Sequence, residues 1–191
     1  MATRREFLQA GGSLLAGLAL PPWLGRSSGL VGGPGHGRLA DRLVEIRMKS
    51  DARGARVWFD PIGVRVAPGT IIRWVLDTGA HSTAAYHPSN ANHALRIPAT
   101  AAPWDSGILV QAGQTFEQRL DVPGVYDYYC MPHELAGMVG RILVVPGGDQ
   151  DLDLREPTPA SDGFRTVPAA ALAAFPSIEQ IHREGVVRLE P

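Results

Sequence analysis

Between residues 39 and 146, apolar side chains recur at every second position in short runs, and turn residues separate the runs. Val44, Ile46 and Met48 alternate with Glu45 and Arg47, while Ile72, Trp74 and Leu76 alternate with Arg73 and Val75. Val64 and Val66 lead into Pro68-Gly69; Phe116, Gln118 and Leu120 lead into Pro123-Gly124; Val125 to Tyr129 and Arg141 to Val145 complete the set. A period of two sends successive side chains to opposite faces, so each run has one face that needs another layer to cover it. β-Branched and aromatic residues suit such half-buried surfaces, and Pro and Gly stop them. No helical period of useful length appears there. The expectation is an all-β sandwich.

Composition narrows the function. Hydrophobic content of 45% supplies a packed core and argues against disorder. Eighteen Lys+Arg against nineteen Asp+Glu leave no basic field, so no nucleic-acid partner is expected. One cysteine in 191 residues excludes an intrachain disulfide framework and any Cys-rich zinc or iron–sulfur site. If Cys130 acts, it acts as a thiolate.

The flanks read differently. Arg4-Arg5, then Phe7-Leu8, then an apolar run from Ala10 to Leu20 closed by Pro21-Pro22 resemble a twin-arginine export signal over residues 1–26. The expected location is therefore periplasmic or extracytoplasmic. The apolar run is short for a membrane span, though an uncleaved signal would leave a membrane anchor. Residues 27–38 form a Gly-rich leader, and residues 39–147 the β domain. Within it, residues 84–107 lack alternation and are too long for a hairpin turn. Residues 148–191 are a C-terminal extension with two short expected helices. Pro168 opens one before Ala169 to Ala174; Ser177-Ile178-Glu179-Gln180 is a capping box with Gly185 as the stop. The extension carries no catalytic signature.

The chemistry is concentrated in Tyr128-Tyr129-Cys130-Met131-Pro132-His133-Glu134-Leu135-Ala136-Gly137-Met138. A thiolate, an imidazole and a thioether on one short loop can converge on a single ion, and that soft donor set selects copper over zinc, magnesium or calcium. A trigonal copper site needs one more imidazole, from a distant strand end. His81 follows the strand ending at Leu76 and meets that need.

These residues resemble the cupredoxins, nearest to the plastocyanin, halocyanin and pseudoazurin branch, with its C-x-x-H-x-x-x-x-M loop. Trp58-Phe59-Asp60-Pro61, Val64 to Thr70 and Ile72-Arg73-Trp74 resemble the strand, turn and V-x-W strand before the first histidine. Pro123 to Cys130 resembles the P-G-x-Y-x-Y-x-C approach. The likeness covers residues 40–146. It implies a Greek-key β-sandwich binding one type 1 copper ion through His81, Cys130, His133 and Met138, cycling between Cu(I) and Cu(II). It implies an electron carrier rather than an enzyme, docking transiently with larger redox proteins near His133. Ser82 stands where the branch often has Asn, which puts at issue a polar contact between the ligand loops; Thr70 replaces a frequent Asp.

Other readings compete. The same site would serve a periplasmic copper-binding or copper-delivery protein, and the long loop and extension would suit a partner-binding module with structural copper. His87 and His93 read as solvated loop histidines, with a second metal site there as the rarer alternative. Trp58 and Trp74 are expected in the core, and Trp104 is expected to pin the long loop.

Overall fold

A computed structural model describes residues 42–147, 154–157 and 163–189. The expected export signal and Gly-rich leader lie outside the described residues.

Two sheets face one another. One has the order β2 (Val57–Asp60), β1 (Leu43–Ser50), β4 (Thr70–Leu76), β6 (Thr115–Leu120). The other has the order β5 (Ala84–Ala85), β7 (Gly124–Tyr129), β8 (Val139–Val144), β3 (Gly63–Val66), β9 (Val186–Val187). The chain crosses from β2 to β3 and back to β4, so it changes sheet repeatedly, as an all-β Greek-key cupredoxin fold requires. β1 runs parallel to β4, and β3 parallel to β8; the other pairings are antiparallel.

The alternation read from sequence decides what lies inside. Along β4, Thr70, Ile72, Trp74 and Leu76 are buried while Ile71, Arg73 and Val75 are only half-buried. They meet Val64, Val66, Tyr126, Tyr128, Ile142 and Val144 of the opposite sheet in one core. Each large apolar side chain buried there stabilises the fold by about 1.5–3 kcal/mol. Tyr128 packs edge-on to Phe59 and Trp74, which fixes the strand that delivers Cys130.

β8 breaks the pattern, because all six of its residues are buried. Its outer face is covered by the C-terminal extension. Helices α1 (Ala169–Ala174) and α2 (Ile178–Glu184) form where the capping signals placed them, with the Ser177 hydroxyl accepting the Gln180 N–H and Gly185 closing α2. Ile181 packs with Ile62, Val125, Leu143 and Val187, and β9 pairs with β3. The extension thereby covers a sheet edge that would otherwise present unpaired backbone. Beneath it, Asp127 receives two hydrogen bonds from Arg141, at 2.7 and 3.0 Å, and one from Arg96 at 2.9 Å, while Phe175 lies against both guanidinium groups. This burial of charge is tolerable because each carboxylate oxygen is paired.

Two expectations fail. Trp58 is only half-buried, resting against Lys49 and Arg56, and Phe59 is the core residue of β2. His93 is fully buried, because the extension closes over its loop, as described below. Trp104 is internal as expected, its indole N–H donating to the Thr83 hydroxyl at 3.1 Å. Among the described residues, no helix is long and apolar enough to cross a membrane.

Candidate metal centre

β7 and β8 are adjacent antiparallel strands, and the segment between them turns back at one end of the sandwich. Cys130 directly follows β7; Met131–Ala136 form a 3-10 turn; Gly137 takes φ +78°, and Met138 returns the chain to β8. Pro132 suits the first turn because it has no N–H to satisfy there. The Cys130 N–H donates to the Met138 carbonyl at 3.0 Å, and the Met138 N–H donates to the His133 carbonyl at 3.1 Å. These bonds bring the two ends of the loop together. His81 arrives from after β4, held by a bridge to Leu109.

Three of the four sequence-predicted donors converge. His81 Nδ1 and His133 Nδ1 lie 3.1 Å apart, and Cys130 Sγ lies 3.6 Å from the first and 3.4 Å from the second. All three donor atoms fall within 4.8 Å of one another, the one such His/Cys/Asp/Glu group among the described residues. His81 and Cys130 are buried and His133 is partly exposed. Met138 is fully buried beside them in sequence and in the same core as Cys130.

Electrostatics favours neutral donors. Burial, and then His133, hold His81 down to about 4; burial also lowers His133. Neutral imidazoles are what a metal requires. Burial pushes the Cys130 thiol up to about 11, against the opposing pull of N–H groups from Ser82 and His133. A buried thiol this reluctant to ionise would become a thiolate if a cation displaced its proton. A sulfur, two neutral imidazoles and a buried thioether residue, with no carboxylate in the group, fit copper.

Sequence reasoning missed part of the surround. The Ser50 hydroxyl lies 2.9 Å from His81 Nε2, so the far ring nitrogen is held and the near one is aimed at the cluster. Gly79, at φ +82°, leaves room for this pair, because a Cβ there would collide with Ser50 Oγ and meet His81 Nε2 at 3.0 Å. A Gly two residues before His81 was the available signal. The Ser82 N–H donates to Cys130 Sγ at 3.3 Å. Ser82 also restores the contact put at issue by the loss of Asn, since its hydroxyl accepts the Met131 N–H at 2.8 Å. The Thr70 hydroxyl closes its own turn by donating to the Ala67 carbonyl.

His87 and His93 form no second centre with three donors among the described residues. His87 is capped by Ser89, whose N–H donates to Nδ1 at 3.1 Å. His93 packs between the rings of Tyr86 and Tyr129, and burial followed by Arg165 holds it down to about 4.

Residues 46–145 match the family described as copper binding proteins, plastocyanin/azurin family. The chain belongs to that family. Its members bind copper in a type 1 site and transfer electrons. The chain is 34% identical over 88 residues to a halocyanin of Natronomonas pharaonis, covering 45% of this chain and 47% of that protein. It is 28% identical over 104 residues to a plastocyanin of Scenedesmus fuscus, covering 52% of this chain and 99% of that one. A pseudoazurin structure from Sinorhizobium superposes with a TM-score of 0.46 at 27% identity, over 75% of this chain and 95% of that one. The match thus spans less than half of the halocyanin but nearly all of the small plastocyanin.

Proposed function

We propose that the chain is an exported carrier of single electrons, with one copper ion held by His81, Cys130, His133 and Met138. The observation that carries this reading is the convergence of His81 Nδ1, Cys130 Sγ and His133 Nδ1 within 4.8 Å. When bound, copper supplies a one-electron Cu(I)/Cu(II) couple. The chain's own residues do the rest. Buried Cys130 would hold the ion as a thiolate, and the Ser82 N–H at 3.3 Å would stabilise charge on the sulfur. Ser50 fixes the His81 ring. The buried side chain of Met138 would supply a weak thioether donor that tunes the potential. Four protein donors leave no position for a substrate, which argues against an enzyme.

His133 is the partly exposed donor, so its edge is the electron port. Met131, Pro132, Leu135 and Ala136 are exposed around it, with Met131 46% and Leu135 77% accessible. This apolar collar suits brief docking of larger redox proteins over a modest area. Export rests on Arg4-Arg5 and the apolar run after them. Replacing both arginines with lysine should retain the protein in the cytoplasm; unchanged export would refute the signal.

Voltammetry tests the carrier against the copper-delivery alternative. A reversible one-electron wave on the copper-loaded protein supports shuttling. An irreversible wave, with transfer of copper to an apo acceptor, would favour delivery.

A further inference from the structure

Glu134 directly follows His133, yet its side chain is only 1% exposed. It is the one buried residue of the turn Met131–Ala136. Met131, Pro132, Leu135 and Ala136 all face solvent, and His133 is partly exposed. Together with the Met131 N–H bond to the Ser82 hydroxyl and the backbone bonds at Cys130 and Met138, this carboxylate ties the turn to the protein body. A carboxylate is rarely buried unless it is paired.

The pairing comes from outside the sandwich. The Tyr86 hydroxyl donates to Glu134 Oε1 at 2.9 Å, and Arg165 Nη2 donates to Oε2 at 2.8 Å. His93 Nε2 stands 3.5 Å from Oε2. Tyr86 and His93 belong to the long loop, and Arg165 to the C-terminal extension. The two segments also grip each other: the Arg165 N–H donates to the Asn92 carbonyl at 2.8 Å, and the Asn92 amide donates to the Gly163 carbonyl at 2.9 Å. Phe175 and Tyr129 pack on the Tyr86 ring. On the other side of the turn, α1 approaches so closely that a Cβ on Gly137 would meet the Ala170 carbonyl at 3.1 Å.

We propose that Glu134 is a positioning residue for His133, and that the long loop and the C-terminal extension form a clamp on it, closed by Arg165, that holds the copper loop in one geometry through both oxidation states. The proposal rests on the copper reading above. An exposed six-residue turn would otherwise relax around a change of charge at its histidine. Pairing Glu134 on two sides, from two segments locked together, removes that freedom before any electron arrives. Arg165 reaches the carboxylate through one guanidinium nitrogen, Nη2, while its backbone N–H holds the Asn92 carbonyl. The long loop and the extension, which a minimal sandwich does not need, thereby gain a shared purpose.

Arg165→Ala tests the clamp, since the Arg165 side chain is 47% exposed and its loss leaves the core intact. In the copper-free protein, the proposal predicts that amide exchange at His133, Gly137 and Met138 accelerates by about tenfold while β7 and β8 exchange as before. In the copper-loaded protein, electron self-exchange should fall by about threefold or more, as small misplacements near a reacting centre slow it disproportionately. Arg165→Lys should recover part of both effects, and Glu134→Gln, which keeps the Tyr86 bond, should resemble Arg165→Ala. Unchanged exchange in the turn would overturn the proposal. So would uniform acceleration across β7 and β8, which marks a role in global stability alone. The copper-free arm reads the clamp even if the copper reading fails, so the two failures are distinguishable.

Discussion

The Ser82 hydroxyl accepts the Met131 N–H at 2.8 Å, while the Ser82 N–H donates to the sulfur of Cys130 at 3.3 Å. One residue thus joins the segment carrying His81 to the loop carrying the other three proposed donors, through its side chain and its backbone separately. The division has a consequence. Ser82→Ala removes only the hydroxyl and strands a backbone N–H, which costs about 1–3 kcal/mol. The denaturant midpoint should fall accordingly, while the visible absorption of the copper-loaded protein keeps its form because the N–H to sulfur survives. Loss of that absorption in a folded variant would contradict the division.

Gly79 is required twice, by its backbone and by its neighbours. Its φ of +82° disfavours any side chain, and a Cβ would collide with the Ser50 oxygen that holds His81. Gly79→Ala should cost about 1–3 kcal/mol through backbone strain and should also weaken copper binding, read by competition with a chelator. Ser50→Ala should reproduce the second effect with little of the first. If Gly79→Ala binds copper as tightly as the parent, the Ser50–His81 pair has no role in aiming the ring.

Stability of the copper-free protein should fall as the pH drops from about 6.5 towards 4. His81 and His93 are held down to about 4, by burial and then by His133 and Arg165 respectively, from a usual 6.5. Across that window the unfolded chain takes up protons that the folded chain refuses, so unfolding gains as the pH falls. His133, also lowered by burial, adds to the trend. Glu134, raised by burial against the pull of Tyr86 and Arg165, works the other way, since its protonated form is favoured by folding. Three imidazoles outweigh one carboxyl. Urea midpoints at pH 4.5 and 7 decide the matter; equal midpoints would contradict it.

The sandwich was legible because period two is written directly into β1, β4 and β6, and the convergence of His81, Cys130 and His133 was legible because two of them share one short loop and the third follows β4. The helices α1 and α2 were legible from Pro168, Ser177 and Gly185, since caps are local chemistry. What these cues withhold is long-range packing. Nothing near His93 announces that Arg165 closes over it, so a loop histidine read as solvated is buried. Likewise, six consecutive buried residues in β8 follow from an extension whose docking no local pattern specifies. Trp58 and Phe59 are adjacent large aromatics, and only the register against Lys49 and Met48 decides which points inward.

The most direct test of the account is the visible spectrum of the copper-loaded protein, oxidised and then reduced with ascorbate, beside Cys130→Ser. An intense thiolate-to-Cu(II) charge-transfer band that bleaches on reduction, returns on oxidation and is absent from Cys130→Ser is the predicted result. A copper-loaded Cys130→Ser protein that keeps the band, or a parent protein that binds Cu(II) without it, would contradict the assignment of Cys130 as the thiolate donor.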